Sequence, residues 1–302
     1  MSNSTAEVEA DVTKEADKNV CANCGIAGLD NNELEECTAC HCDLVRYCSD
    51  KCREEHREQH DEECENQAVK SYDKNLFSQP DSSHFGECPI CFLPMPIDPT
   101  KSMIWTCCSK LICKGCDYVN DRSNGGIICP FCREPVVRDD EECRKMLMKR
   151  IKANDPAALC QMGGTCYDES DYDGAFDYWT KAAELGNVDA HAKLGIMYAT
   201  LKDEEKSIYH YEKAAIGGHP IARHILGRTE MDNDKIDRAV KHFIIAANLG
   251  DEDSMKELWG MFKQGHINKD DLAATLRAHH ASVDAMKSAH RDAAAADASS
   301  DE

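Results

Sequence analysis

The sequence predicts two kinds of structure in one chain: small modules pinned by cysteine pairs in the first half, and an all-α helical-repeat solenoid in the second. Three observations carry this. Of 19 cysteines in 302 residues, 17 lie between Cys21 and Cys143, and only Cys160 and Cys166 follow. Most of those 17 come in closely spaced pairs. Beyond residue 155 a different pattern takes over, in which small and aromatic residues recur every 32 positions.

Composition sets the surroundings. Fifty-six acidic residues against 35 basic ones give a formal net charge of -21. Such a surface repels phosphate backbones and anionic headgroups, so neither nucleic acid nor membrane is expected as a partner. The opening stretch MSNSTAEVEADVTKEADK has no apolar core of the signal-peptide kind. No run approaches the roughly 18 apolar residues of a membrane span. A cytoplasmic or nuclear location, where thiols stay reduced, is expected. There the cysteines read as metal ligands rather than a disulfide framework.

The first module covers 19–64 and follows an acidic segment, 1–18, expected to be disordered. Its candidate ligands form four pairs: Cys21 and Cys24, Cys37 and Cys40, Cys48 and Cys52, His60 and Cys64. A C-x-x-C pair makes a knuckle that offers two thiolates to one tetrahedral zinc ion. The last two pairs have the spacing that puts both ligands on one helix face. So short a module cannot bury enough apolar surface to fold unaided, whereas a structural zinc ion contributes on the order of 10 kcal/mol. The stretch VRYCSDKCREEHREQHDEEC resembles the MYND zinc finger. The resemblance implies two interleaved zinc ions, one held by Cys21, Cys24, Cys48 and Cys52, the other by Cys37, Cys40, His60 and Cys64. CTACHCDLVRYC is two residues longer than the usual family spacing, which leaves Cys42 as an alternative to Cys40. The family lines a proline-peptide groove with a glutamine and a tryptophan. Arg53 and Arg57 stand at those positions, so the resemblance implies the zinc fold without the usual groove.

After a linker, 65–86, the second module covers 87–136. Its pairs are Cys88 and Cys91, Cys107 and Cys108, Cys113 and Cys116, Cys129 and Cys132. The frames CPIC, ICKGC and CPFCR resemble a RING finger, the module that recruits ubiquitin-conjugating enzymes. The resemblance implies cross-bracing, with the first and third pairs on one ion and the second and fourth on the other. The common pattern has a histidine within WTCCSKLICKGC, and a register starting at Cys108 puts Lys110 there. A protonated lysine cannot ligate zinc. The all-cysteine form of the family fits better: Cys108 and Cys113 are separated by four residues, and Cys107 becomes the third ligand. Adjacent cysteines in an extended chain point apart, so both reach one ion only if the backbone turns. Otherwise one of them ligates alone, or the second site is lost. A RING performs no covalent chemistry and works by positioning. The resemblance implies conjugating-enzyme contacts at Ile90 and Pro130 and an apolar contact from Tyr118 or Val119. It also implies a bridge to ubiquitin from Arg133, a role that suits the guanidinium fork. Four zinc ions are expected in all.

In the second half, KAAELG at 181–186 returns as KAAIGG at 213–218 and IAANLG at 245–250. In the same 32-residue register stand Ala158, Ala190, Ala222 and Ser254. Gly163, Gly195 and Gly227 form another series, which ends at Trp259, and Trp179, Tyr211 and Phe243 form a third. A unit of this length fits two antiparallel helices with short turns. The small residues are expected to permit close helix crossing, the aromatics to fill grooves between neighbouring repeats, and the closing glycines to form left-handed C-caps. The pattern resembles Sel-one-like repeats, relatives of the tetratricopeptide repeat, with three clear copies and a partial fourth over 155–268. The resemblance implies a curved solenoid that binds protein segments. Cys160 and Cys166 are expected to be buried in the first helix pair. DDEECRKMLMKRIKAND, in the segment 137–154, reads as a connecting helix whose Cys143 needs no metal. A closing helix is expected over 269–296, with His279, His280 and His290 on its surface, before a disordered tail, 297–302.

Together these readings describe a zinc-binding protein-interaction adaptor. The sharper expectation is a RING-type ubiquitin ligase, with a conjugating enzyme and ubiquitin on the second module and protein substrates on the repeats. The rival is a non-catalytic scaffold. No glycine-rich cofactor loop supports a methyltransferase.

Overall fold

The structure is a computed structural model. It describes residues 21–22, 35–36, 46–47, 49–55, 69–137 and 139–298. The chain divides into two compact units, Met1–Asn75 and Leu76–Glu302.

In the first unit β1 (Glu35–Glu36) and β2 (Arg46–Tyr47) pair antiparallel, with Glu35 opposite Tyr47. The short helix α1 (Asp50–Glu55) follows. Ser49 caps its start: the hydroxyl accepts from the Cys52 amide at 3.3 Å, satisfying one of the amides that a helix end leaves open.

The second unit holds the second cysteine module and everything after it. A single 3-10 turn, Pro99–Lys101, is capped by the Asp98 carboxylate, which accepts from the Thr100 amide at 2.9 Å. Strands β3 (Ser102–Trp105) and β4 (Lys110–Cys113) form a hairpin, with Trp105 opposite Lys110 and residues 106–109 as its loop. Helix α2 (Lys114–Asn124) runs on directly and stops at Gly125, whose φ of 69° only glycine adopts cheaply. The module's core is small: Met95 and Ile112 among Cys88, Cys113 and Cys116, with Phe85, Met103 and Trp105 around them. Helix α3 (Asp140–Ile151) connects it to the repeats. Asp139 caps it, three acidic residues fill its first turn, and Lys149 and Arg150 lie in its last, all favourable to the helix dipole.

Four helix pairs follow: α4 (Pro156–Asp168) with α5 (Tyr172–Glu184), α6 (Val188–Thr200) with α7 (Glu204–Ile216), α8 (Pro220–Asp232) with α9 (Ile236–Asn248), and α10 (Glu252–Lys263) with α11 (Lys269–Ala285). Asp155, Asn187, His219 and Asp251 cap the first helix of each pair through their side chains. Asp171 and Asp203 cap the second helices of the first two pairs, but Lys235 stands at the third and makes no side-chain cap. Gly186, Gly218 and Gly250 have φ of 81°, 86° and 101°, the left-handed conformation that closes a helix. Among the described residues, no helix is long and apolar enough to cross a membrane.

One expectation about the repeats is extended and another changes. The aromatics do share clusters with the next repeat, Trp179 with Leu194, Tyr211 with Leu226 and Phe243 with Leu258, and they also close their own pairs. Each lies on the glycine of its own pair: a methyl group on Gly163, Gly195 or Gly227 would stand 2.5, 2.8 or 2.6 Å from Trp179, Tyr211 or Phe243. Aromatic bulk on one helix is matched by a missing side chain on the other, which is how the pair closes. The single closing helix is in fact two. Helix α11 packs on α9 and α10 as the second member of the fourth pair, and α12 (Ala289–Ala298) is separate. Consequently His279, expected on the surface, is buried, with Nδ1 3.0 Å from the Ala247 carbonyl oxygen and Nε2 3.2 Å from Glu252. His280 and His290 are exposed. In the fourth pair Trp259 takes the glycine register and is 43% exposed, while the small Thr275 is buried where an aromatic would stand.

Candidate metal centres and the strap beside them

Within the second module the chain brings eight thiols together as two interleaved clusters. Cys88, Cys91, Cys113 and Cys116 form one, and Cys107, Cys108, Cys129 and Cys132 the other; within each, the four sulfurs lie within 4.8 Å of one another. Cys88 and Cys116 are 3.8 Å apart, as are Cys91 and Cys113, and Cys108 and Cys129. Cys107 and Cys132 are 3.4 Å apart. A zinc ion with about 2.3 Å bonds to four sulfurs at tetrahedral corners requires sulfur–sulfur edges of about 3.8 Å. The donor set therefore fits zinc in number, chemistry and spacing.

The adjacent pair in WTCCSKLICKGC is accommodated by the hairpin. The backbone reverses between Trp105 and Lys110, with the Cys108 amide donating to the Trp105 carbonyl at 3.2 Å and Ser109 at a φ of 51°. Arg150 of α3 reaches over to the Ser109 hydroxyl at 2.8 Å. On this turn both sulfurs reach one cluster.

The two C-P-x-C knuckles repeat each other. In each, the first cysteine's amide donates to a carbonyl five residues on, and the residue after the second cysteine, Phe92 or Arg133, has a φ near 60°: 56° and 62°. Burial raises the Cys88 thiol, but main-chain amides of Cys113, Cys91 and Ile90 outweigh it and bring the pKa down to about 7. Cys129 is lowered in the same way, by the Cys132 and Phe131 amides against burial. Burial and neighbouring sulfurs push Cys116 and Cys107 up, and Cys108 to about 11. Four thiolates in one place repel each other, and a divalent cation is what would let them all ionise.

The remaining sequence candidates are placed as follows. Cys21 is buried and Cys52 is half-buried on α1. Cys24, Cys37, Cys40, Cys42, Cys48, His60 and Cys64 lie outside the described residues. Ile90 is 37% exposed, Pro130 half-buried and Arg133 exposed, and Phe92, Ile127 and Phe131 add further exposed apolar surface. Tyr118 and Val119 are half-buried, with Arg122 lying 5.0 Å above the Tyr118 ring. Cys143 contacts the Val137 carbonyl oxygen, away from both clusters. Cys166 is buried as expected, but Cys160 only half so; burial and the charge of Asp189 push its thiol to about 12.

Residues 76–86, read from sequence as linker, form a strap docked on the repeats. Leu76 is fully buried. Arg223 of α8, also fully buried, donates to the carbonyls of Leu76 and Ser78. Phe77 lies 4.8 Å from His242, with Arg238 and Lys241 over its ring. The His84 amide donates to Gly218 at 3.0 Å, and Phe85 enters the module's core. His84, Asp189 and His219 gather here too, with His84 Nε2 2.9 Å from Asp189. This trio is a hydrogen-bonded stack rather than a ligand set. The imidazoles are parallel at 4.3 Å, so an ion between them would lie out of both ring planes. His219 Nδ1 accepts from the Ala222 amide, which leaves Nε2 carrying the proton.

Between the module and the last repeats runs a groove of about 1460 Å³, with Ile104, Trp105 and Tyr118 on one side and Ile221 and Asp253 on the other.

Comparison with known proteins adds two families. Residues 21–64 match the family model of the MYND finger, and residues 156–187, 188–219 and 227–251 match that of the Sel1 repeat. No curated protein matches the chain. Among solved structures, a protective antigen of uropathogenic Escherichia coli displaying an SLR fold is 22% identical, over 48% of this chain and 34% of its own, with a TM-score of 0.42. A Sel1 repeat protein from Oxalobacter formigenes is 23% identical, over 55% of this chain and 70% of its own, with a TM-score of 0.43. The chain spans about a third of the length of the first of these. The MYND match implies zinc over residues 21–64, and the Sel1 matches suggest protein contact within residues 156–251, which points to a zinc-binding protein-interaction adaptor.

Proposed function

We propose that the second module is a RING-type finger holding two zinc ions, and that the chain works in a reducing compartment as a ubiquitin-protein ligase. With two more ions in the MYND finger the total is four. The observation that carries the reading is the interleaving of two four-sulfur clusters at zinc spacing, with apolar side chains exposed on both knuckles. In this reading Ile90 and Pro130 meet a ubiquitin-conjugating enzyme, and Arg133 bridges enzyme and ubiquitin. No residue forms a covalent intermediate. The repeats present a protein substrate, for which the groove beside Trp105 offers room.

The test is discharge of thioester-linked ubiquitin to free lysine across a panel of conjugating enzymes. Ile90→Ala should abolish stimulation by removing the anchor. Arg133→Ala should leave docking intact and slow discharge roughly tenfold or more, the scale of one lost charge-assisted hydrogen bond. Zinc content should be unchanged in both. A second reading, a scaffold without ligase activity, is favoured by one observation: the chain's own helix α12 packs on α2, beside Tyr118. Lack of stimulation by the parent protein with any conjugating enzyme would decide for it.

A further inference from the structure

Helix α12 returns to the second module and lies on α2. The approach is close. A methyl group on Gly115 would stand 2.7 Å from the Arg291 amide nitrogen and 2.9 Å from the His290 carbonyl carbon, so the crossing depends on glycine. At the far end Arg122 pairs with Asp297 at 2.8 Å. At the near end the Arg291 side chain runs into the module. Its Nη1 donates to the carbonyls of Pro94 at 2.7 Å and Met286 at 2.6 Å. Its Nη2 reaches Leu93 O at 3.4 Å and Cys91 Sγ at 3.7 Å. A half-buried guanidinium thus spends its Nη donors on main-chain oxygens and on one sulfur of the first cluster.

We propose that Arg291 is an outer partner of the ion held by Cys88, Cys91, Cys113 and Cys116, so that metal in this cluster and the docked helix α12 stabilise each other. This rests on the metal reading of that cluster. A neutral thiol is a weak acceptor, whereas a metal-bound thiolate is a strong one. Four thiolates around one divalent cation leave two units of negative charge for a guanidinium to face. Arg291 holds the Cys91 side of the cluster in place and ties the end of the chain to it. Because binding linkage is reciprocal, whatever affinity Arg291 adds for the metal, the metal adds for the docking of α12. The helix becomes a latch keyed to the occupancy of one cluster out of the two beside it.

The experiment uses the full zinc-loaded chain. Zinc transfer to a chromophoric chelator and hydrogen exchange over residues 286–298 are followed in the parent, Arg291→Gln and Cys88→Ser. Arg291→Gln should release one ion 10- to 100-fold faster, the usual effect of removing an outer partner, and leave the other ions' rates unchanged. Cys88→Ser should bind one ion fewer and lose exchange protection across α12, although Arg291 is intact. Arg291→Lys, which keeps the charge, replaces the glutamine variant if that protein loses its helical circular dichroism, and should fall between it and the parent. Unchanged release from a folded Arg291→Gln, or full protection of α12 in Cys88→Ser, would overturn the latch while leaving the metal site standing. Equal zinc counts in parent and Cys88→Ser would overturn the metal reading and the latch with it.

Discussion

The second cysteine module and the repeat array belong to one compact unit, yet they are held by different forces. The module's buried core consists largely of cysteines, with Met95 and Ile112 as its main buried apolar side chains. The array has three apolar clusters, such as the one joining Leu159, Met162, Trp179 and Leu194, and its turns are closed by caps and left-handed residues at a fixed period. In the metal reading proposed above, ligand bonds replace the apolar surface that so small a segment lacks. Where helices stack, each pair supplies the next with a core. The junctions mix the two: Phe85 of the strap packs in the module while His84, next to it, is held by the repeats.

This contrast can be broken at four places. The largest effect is expected from metal removal. Chelation should withdraw stabilisation on the order of 10 kcal/mol per site and unfold residues 87–136. Most helical circular dichroism should survive, because α4–α11 are packed by apolar contacts, but α12 should be lost with the module it rests on. Native mass spectrometry and hydrogen exchange read both. Loss of the array together with the module would show that the two halves fold as one.

Acid should act on the array through His219. Burial, with the charge of His84 second, lowers its pKa from 6.5 to about 4. Asp189 partly offsets this and Lys193 adds to it. Between those values the unfolded chain binds the extra proton, so the contribution is complete above pH 6.5 and is lost as pH falls towards 4, by up to about 3 kcal/mol. His219→Asn retains a capping oxygen and should flatten this limb in urea unfolding at pH 7 and pH 5.

Gly195→Ala should cost the array roughly 1–3 kcal/mol, since Tyr211 stands 2.8 Å from the added methyl group and must move. Thermal unfolding of the zinc-loaded protein should register this with no change in zinc content. The smallest effect concerns caps. Lys235→Asp supplies the missing cap of α9 and should add about 1 kcal/mol, while Asp203→Ala at the equivalent place in the previous repeat should remove about as much. Equal melting temperatures would mean that packing alone positions these helix starts.

Much of this was legible because it is local or periodic. The helix pairs, the closing glycines and the connecting helix follow from spacing. The capping series Asp155, Asn187, His219 and Asp251 was equally visible at the same period and could have fixed the helix starts. Other features left no such trace. Nothing in GHPIARH marks Arg223 as buried, because its partners are carbonyl oxygens 147 and 145 residues away, and every residue type carries a carbonyl. His279 reads as a surface residue in the sequence because its helix lies beyond the last clear repeat; the fourth pair buries it.

The sequence by itself determined where cysteine pairs fall and where helix pairs form, since close spacing and a 32-residue period are properties of short stretches of chain. Only the tertiary structure decided that Cys107 and Cys108 turn into one cluster, that the strap lies down on the repeats, and that Arg291 reaches Cys91 across 200 residues. Such meetings depend on the packing of whole elements, and a single contact between distant residues repeats nowhere in the chain, so no periodic signal records it.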